Sequence, residues 1–346
     1  MRHLKLHLRN FLPAMVLVFM LFVSCATWQN AARRNMTVVF YNVENLFDLE
    51  DEPGKQDGEF TPQSEKNWDM TKYRKKLADI SRVISGINEG DLPEIVGLCE
   101  VENEKVLQDL VQTGLLANGN YQIVHHESPD FRGIDCALIY RPDEFQVVDH
   151  FAVPVRFDDD PSFSTRDILY VKGRTLNRQE FHIFVNHWPS RIGGVAQTEP
   201  KRLKVAHILK IKIDSVMIAS PNGHIIVMGD MNDEPDNKSL LEVLGAKPPS
   251  TPGALLVNLM YPEFTEGRGS YNYRGSWDML DNLIVSPGLL DSKGFRVVDE
   301  KGYIYRESWM EYTNSQGDLV PNRTYGGPTY YGGVSDHFPV YFRLRR

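Results

Sequence analysis

Residues 224–232 read His-Ile-Ile-Val-Met-Gly-Asp-Met-Asn, followed by Asp233, Glu234 and Pro235. A short apolar run bounded by turn residues is the pattern of a buried strand. This one stops in a knot of carboxylates and amides. Turn preference accounts for Gly, Asp, Asn and Pro there one at a time, but other apolar runs end in the same way. "VVFYNVEN" stops at Asn42 and Glu44, "IVGLCEVEN" at Glu100, and "FHIFVNHWPSR" at Asn186, His187 and Arg191. "WDMLDNLIV" starts its strand at Asp281, and "VSDHFPVYF" starts one at Asp336 and His337. Packed together, these strand ends would gather their polar groups in one cleft. Carboxylates held close together repel unless a cation sits between them.

Outward from these stretches, strands outnumber helices. A helix is expected over about 71–88, with Tyr73, Leu77, Ile80, Val83, Ile84 and Ile87 on one face and Lys/Arg on the other. "NEKVLQDLVQTGLL" reads as a second helix. A long one is expected over 199–219 with Leu203, Ala206, Leu209, Ile213 and Val216 inward, and a short one over 237–244. Only some strands are separated by helices, so the expected class is α/β (α+β): two mixed β-sheets packed face to face with helices outside. No linker interrupts the run, and one domain is expected from 36 to 346.

The first residues differ from the rest. "MRHLKLHLRN" is basic, "FLPAMVLVFMLFV" is apolar and too short to span a bilayer comfortably, and Ser24-Cys25 follows. Cys25 stands where a bacterial lipoprotein signal places the cysteine that is lipidated after cleavage. The expectation is a lipoprotein-type signal over 1–25 and a tether over 26–35. The protein would then be exported and lipid-anchored on the periplasmic or outer face of a bacterial envelope. Losing Arg2, Lys5 and Arg9 leaves 35 of the 38 basic residues against 46 acids, a net of −11. Such a chain is a poor nonspecific polyanion binder, so a phosphate-bearing substrate requires local neutralisation, which a metal ion would supply. Cys99 and Cys136 lie inside apolar runs without metal-type spacing and read as buried small hydrophobes.

The ordered motifs N-V-E-N, C-E-V-E-N, V-N-H-W, G-D-M-N-D, L-D-N-L-I-V-S and S-D-H-F-P-V resemble the signature of the endonuclease/exonuclease/phosphatase superfamily. That group includes exonuclease-III-type enzymes, pancreatic-type deoxyribonucleases, sphingomyelinases and inositol-polyphosphate phosphatases. The resemblance spans about residues 38–345 and implies a four-layer sandwich. It also implies roles. Glu100 would be the main ligand of Mg2+ (or Mn2+), as suits a hard cation, with Asn42, Glu44 and Asp336 bordering the metal. Asp230 and Asn232 would hold and activate the attacking water. His187 and His337 would stabilise the developing charge, each with both protonation states in reach, and Asp281 would orient His337. Asn186 and Arg191 would grip phosphate oxygens. Asp135, opening "DCALIYRP", would support His187. The other histidines, such as His125 and His126, read as structural or surface residues.

The implied chemistry is metal-assisted phosphoester hydrolysis by water, without a covalent nucleophile. The leading expectation for the substrate is nucleic acid, cut by an extracytoplasmic endonuclease, with "YRGSW" and "NRTYGGPTYYGG" mixing arginine and aromatic residues. The alternative is a lipid-headgroup, sugar or inositol phosphodiesterase or phosphatase, in which Asn282 replaces the arginine of the inositol phosphatases. A catalytically dead surface binding lipoprotein is the third class.

Overall fold

Val38 and Phe40 leave the first strand on one side and Val39 and Tyr41 on the other, and all four are buried. A strand covered on both faces has no need of polar alternation, which explains the continuous apolar runs. The computed structural model describes residues 35–88, 91–221, 223–291 and 294–346. The expected signal, Cys25 and residues 26–34 of the expected tether lie outside them. Residue 35 already opens a strand.

The first sheet holds β1 (Asn35–Leu46), β2 (Ile95–Val101), β3 (Gln122–His125), β4 (Asp135–Tyr140), β14 (Arg296–Val297), β15 (Tyr303–Ile304) and β20 (Val340–Arg345). Its order is β14-β20-β1-β2-β4-β3, with β15 also on β20. The second holds β5 (Phe145–Val153), β6 (Ile168–Thr175), β7 (Glu180–His187), β8 (His224–Asp230), β9 (Ala246–Lys247), β10 (Leu256–Asn258) and β13 (Asp281–Val285). Its order is β5-β6-β7-β8-β13-β10-β9. Small hairpins, β11 (Tyr271–Tyr273) with β12 (Ser276–Asp278), β16 (Glu311–Thr313) with β17 (Leu319–Pro321), and β18 (Tyr325–Gly326) with β19 (Thr329–Tyr330), decorate one end.

The sheets pack face to face through Val38, Phe40, Cys99, Leu138, Ile183, Val185, Ile226 and Met228. They approach so closely that a Cβ on Gly97 would lie 2.4 Å from Met228 Sδ. Helix α1 (Met70–Gly86) covers the outer face of the first sheet. Helix α2 (Glu104–Val111) joins it there, and α3 (Val195–Ala219) covers the second sheet. The result is the expected sandwich of helix, sheet, sheet and helix. Cys99 and Cys136 are register partners, buried and free.

Some elements differ from expectation. α1 is not polar throughout its second face: Lys76 is buried beside Tyr73 and Leu77. α3 starts earlier, at Val195, and carries Pro200 inside it. It turns Arg202 rather than Leu203 fully inward, because Arg202 has a buried ionic partner, Asp233 Oδ1, 2.7 Å from its Nε. The expected helix over 237–244 is a single wide turn, Ser239–Leu244. A short helix α4 (Tyr261–Thr265) follows, and β14 is only two residues long, Arg296–Val297.

β1 runs parallel to β2, and β7 to β8, while β20 and β13 run against their neighbours. The C-terminal ends of β1, β2, β7 and β8 therefore share an edge with the N-terminal ends of β13 and β20. The predicted polar residues stand along that edge.

Candidate active site

Register alone lines up the residues of the second sheet. His187 pairs with Asp230 across β7 and β8, and Asp230 pairs with Asp281 across β8 and β13. Asp281 Oδ2 lies 2.7 Å from His337 Nδ1. The other ring nitrogen of His337 is 3.8 Å from Asp230 Oδ2. His187 Nε2 is 3.6 Å from the same Asp230 oxygen and 3.8 Å from Glu100 Oε1.

The first sheet brings its residues in by irregularity rather than register. The β1–β2 ladder breaks between Asn42 and Leu46, and the β2–β4 ladder breaks between Cys99 and Val101. At these breaks Glu44 (φ 49°), Asn45 (φ 57°) and Glu100 (φ 61°) are left-handed, as is Asn232 (φ 49°) past the end of β8. Glutamate gains nothing from this region, so such residues mark a backbone held by its surroundings. Backbone donors then fix one oxygen of each carboxylate: Thr324 N–H donates to Glu44 Oε2 at 2.7 Å, and Asn45 N–H donates to Glu100 Oε2 at 3.0 Å.

The expected residues are also engaged within the protein, and Asn186 and Asp135 stand away from their expected places. Asn42 Nδ2 donates to Asp230 Oδ2, and its Oδ1 accepts from Glu44 N–H, both at 3.0 Å. Its amide thus orients Asp230 and the β1 bulge. Asn186 does not reach the cleft. It is fully buried, donates to the carbonyls of Phe184 and Met228, and accepts from Trp188 Nε1. Asp135 does not support His187: its Oδ1 accepts from Ser128 N–H, and its Oδ2 faces His125 Nε2 at 3.1 Å. Asp336 borders the cleft, but Arg323 holds its Oδ2 at 2.7 Å. Arg191 lines the cleft while donating to Asn232 O and Asn237 Oδ1. Asn282, standing where the inositol phosphatases have arginine, is fully buried, donates to the Asp233 carbonyl and accepts from Asn258.

The electrostatics separate the two histidines. Burial pushes His187 well below its usual pKa, and the charges of Arg166, Arg132 and His337 add to this. Burial also opposes charge on His337, but Asp281, Asp230 and Asp336 outweigh it and raise its pKa well above the usual range. Each ring is thus driven toward one protonation state, neutral for His187 and charged for His337, rather than poised between two. Burial, with Asp281 adding, pushes Asp230 up to about 7 against the opposing effects of His337, Asn232 N–H and Asn42.

Residues not expected from the sequence complete the site. Arg166 donates to Asp130 Oδ2 at 3.0 Å and to Trp188 O at 2.6 Å. Arg132 Nη2 is 3.9 Å from Glu100 Oε1. Tyr271 packs its ring on His337 with centroids 4.8 Å apart. Lys76 donates to Glu44 O, Thr324 Oγ1 and Val334 O. An arginine in "FRGID" or "STRD" looks like any surface charge. Lys76 did carry a signal, because it falls three residues after Tyr73, inside the apolar stripe.

Glu44, Glu100, Arg132, Arg166, His187, Asp230, Tyr271 and His337 line a cleft of about 1190 Å³. Glu44 and Glu100 offer hard oxygen donors, each with one oxygen fixed by a backbone N–H. That donor chemistry suits Mg2+ or Mn2+.

Known proteins share this fold. A mannosyl-6-phosphatase from Bacteroides thetaiotaomicron VPI-5482 is similar in structure over 90% of this chain and 100% of its own, with a TM-score of 0.57 and 18% identity. D. rerio TDP2 complexed with single strand DNA product is similar over 90% of this chain and 99% of its own, with a TM-score of 0.54 and 13% identity. Protein angel of Drosophila melanogaster is 24% identical over 204 residues, and the chain spans 55% of that relative's length. The model of the Endonuclease/Exonuclease/phosphatase family matches residues 37–346. The chain therefore belongs to the endonuclease/exonuclease/phosphatase family.

Proposed function

We propose that this protein is a divalent-metal-dependent phosphodiesterase that cleaves nucleic acid by attack of water on phosphorus. The observation that carries the reading is the His187–Asp230–Asp281 register row, with His337 across it and Glu44 and Glu100 facing it from the other sheet. Asp230 accepts the proton of the attacking water as the new P–O bond forms and the ester P–O bond breaks. Asn42 and the Asn232 N–H, which donates to Asp230 Oδ1 at 3.0 Å, hold that carboxylate in place. His337, kept charged by Asp281, donates toward the oxygens on which charge develops. Neutral His187 offers its Nε2 on the opposite side of Asp230. Glu44 and Glu100 would hold Mg2+ or Mn2+, which would supply neutralisation of the phosphate and of the leaving oxygen.

The cleft supports a nucleic-acid substrate because Phe131, Tyr271 and Tyr273 line it beside Arg132, Arg166 and Arg191. Aromatic faces next to guanidinium groups suit stacked bases on a phosphate chain. A sugar-phosphate substrate is the second reading, favoured by the acidic chain and by the likeness to the mannosyl-6-phosphatase. The same proposal places the enzyme outside the cytosol, anchored through Cys25, as its basic and apolar leader suggests.

The test is hydrolysis of single-stranded DNA, plasmid DNA, mannose 6-phosphate, bis-p-nitrophenyl phosphate and sphingomyelin with Mg2+ or Mn2+. Cleavage of DNA that falls about 10²–10⁴-fold in Asp230→Asn and disappears with EDTA is the expected result. Turnover confined to mannose 6-phosphate would transfer the reading to the phosphatase branch. Activity undiminished in Asp230→Asn would refute the assigned base.

A further inference from the structure

A second group of metal-binding chemistry lies away from the row of cleft residues. His125 ends β3, Asp135 opens β4, and Glu127 stands in the segment between them. One ligand atom from each lies within 4.8 Å of the others. His125 Nε2 is 3.1 Å from Asp135 Oδ2, and its Nδ1 is 4.0 Å from Glu127 Oε1. The carboxyls of Glu127 and Asp135 have oxygens within 4.8 Å of each other.

Two carboxylates this close repel when both are ionised. Asp135 is 1% exposed, so water screens it little, and the Ser128 N–H already holds its other oxygen. A divalent cation would offset both negative charges and join all three groups. One imidazole with two carboxylates is a donor set for Zn2+ or Mn2+ rather than for Mg2+. Bonds of about 2.1 Å to a common tetrahedral ion set ligand atoms about 3.4 Å apart, close to the 3.1 Å between His125 Nε2 and Asp135 Oδ2. The Glu127 side chain is 55% exposed, which leaves an entry path and room for a water ligand.

We propose that His125, Glu127 and Asp135 form a second divalent-cation site, distinct from the cleft carboxylates and suited to Zn2+ or Mn2+. His125 and Asp135 bracket residues 126–134, a segment that carries Glu127 and reaches the cleft. Asp130 holds Arg166, Arg132 faces Glu100, and Phe131 lines the cleft. Lys55 already pins the middle of this segment through Ser128 O and Asp130 O. A cation between β3 and β4 fastens its two ends.

His126 Nε2 and His150 Nδ1 lie 2.9 Å apart on the surface nearby and compete for the same ion in any assay. The test therefore uses the chelator-stripped protein, with millimolar Mg2+ present, titrated with Zn2+ by calorimetry. It compares wild type with Glu127→Gln, His125→Asn and His150→Gln. Zinc-edge anomalous diffraction then locates the bound ion. The expected result is one Zn2+ on His125, Glu127 and Asp135, with affinity at least tenfold weaker in Glu127→Gln and in His125→Asn and unchanged in His150→Gln. Glu127 is at the surface, so its variant stays informative even where His125→Asn fails to fold. Zinc found on His126 and His150 or in the cleft, or affinity unchanged in Glu127→Gln, would overturn the proposal.

Discussion

Lys76 shows how much of the site rests on one residue outside the motifs. It is buried, and its ammonium donates to Glu44 O at 2.8 Å and to Thr324 Oγ1 and Val334 O at 2.6 Å each. It thereby joins the β1 bulge to the segment before β20. Burial pushes its pKa down and that of Glu44 up, and the charge of each partner opposes the other's shift. Lys76→Met would leave these oxygens unpaired and the Glu44 carboxyl without its cation. Removing one partner of such a buried pair costs about 3 kcal/mol or more. We expect a lower unfolding midpoint in urea and weaker Mg2+ binding by calorimetry. Unchanged Mg2+ affinity at full folding would show that Lys76 does not position Glu44. At this scale the motif acids and histidines were legible because their types are unusual at the ends of apolar runs. Asn186 misled, since nothing in "FVNHW" says which face of β7 receives the amide.

The elements met at the edge opposite the cleft also depend on buried ionisable groups. Glu94, just before β2, accepts Thr37 N–H at 2.7 Å and so ties the start of β1 to that of β2. Burial raises its pKa from 4.5 to about 7, against the Thr37 bond and Arg141. A carboxyl with a raised folded pKa binds its proton more tightly when folded. Its contribution to stability is complete below 4.5 and is lost as pH rises through about 7. Glu94→Gln keeps an acceptor for Thr37 without the charge. The variant should be more stable than wild type at pH 8.5, by up to about 3 kcal/mol, with the gap reduced to about 1 kcal/mol or less at pH 5. Denaturant curves at the two pH values check this, and an equal gap at both would contradict it. Strand positions were readable from apolar runs, and α1 from its stripe. The bulges at Glu44 and Glu100 were not, because a bulge is decided by the neighbouring strand's register rather than by local preference.

At the scale of the whole molecule, two sheets close on each other and leave Glu44, Glu100, Asp230 and Asp336 along one cleft. A divalent cation held among them, as proposed, would relieve their mutual repulsion in the folded state and would have no such site in the unfolded chain. Ligand binding to the native state alone stabilises by RT ln(1 + [L]/Kd), about 2.7 kcal/mol at a hundredfold excess over Kd. Adding Mg2+ to chelator-treated protein should raise the melting temperature by several degrees. Glu100→Gln should remove most of that rise while leaving the metal-free melting temperature unchanged or higher. A rise of the same size in Glu100→Gln would remove this carboxylate from the metal site.

The sequence by itself determined that strands dominate, that two of their faces are buried, and that a consistent set of acids, amides and histidines punctuates their ends. Those are local properties of residue type and spacing. Only the tertiary structure decided which of these groups share the cleft, since strand order and direction bring the ends of β1, β2, β7 and β8 together with the starts of β13 and β20. It turned Asn186 inward, gave Asp135 to His125 and Asp336 to Arg323, and brought Lys76, Arg132 and Arg166 to the site. The physical reason is that a polar side chain's role depends on which partner desolvates it and which hydrogen bonds remain. Those partners lie tens to hundreds of residues away in the chain, as with Lys76 and Val334, separated by 258 positions.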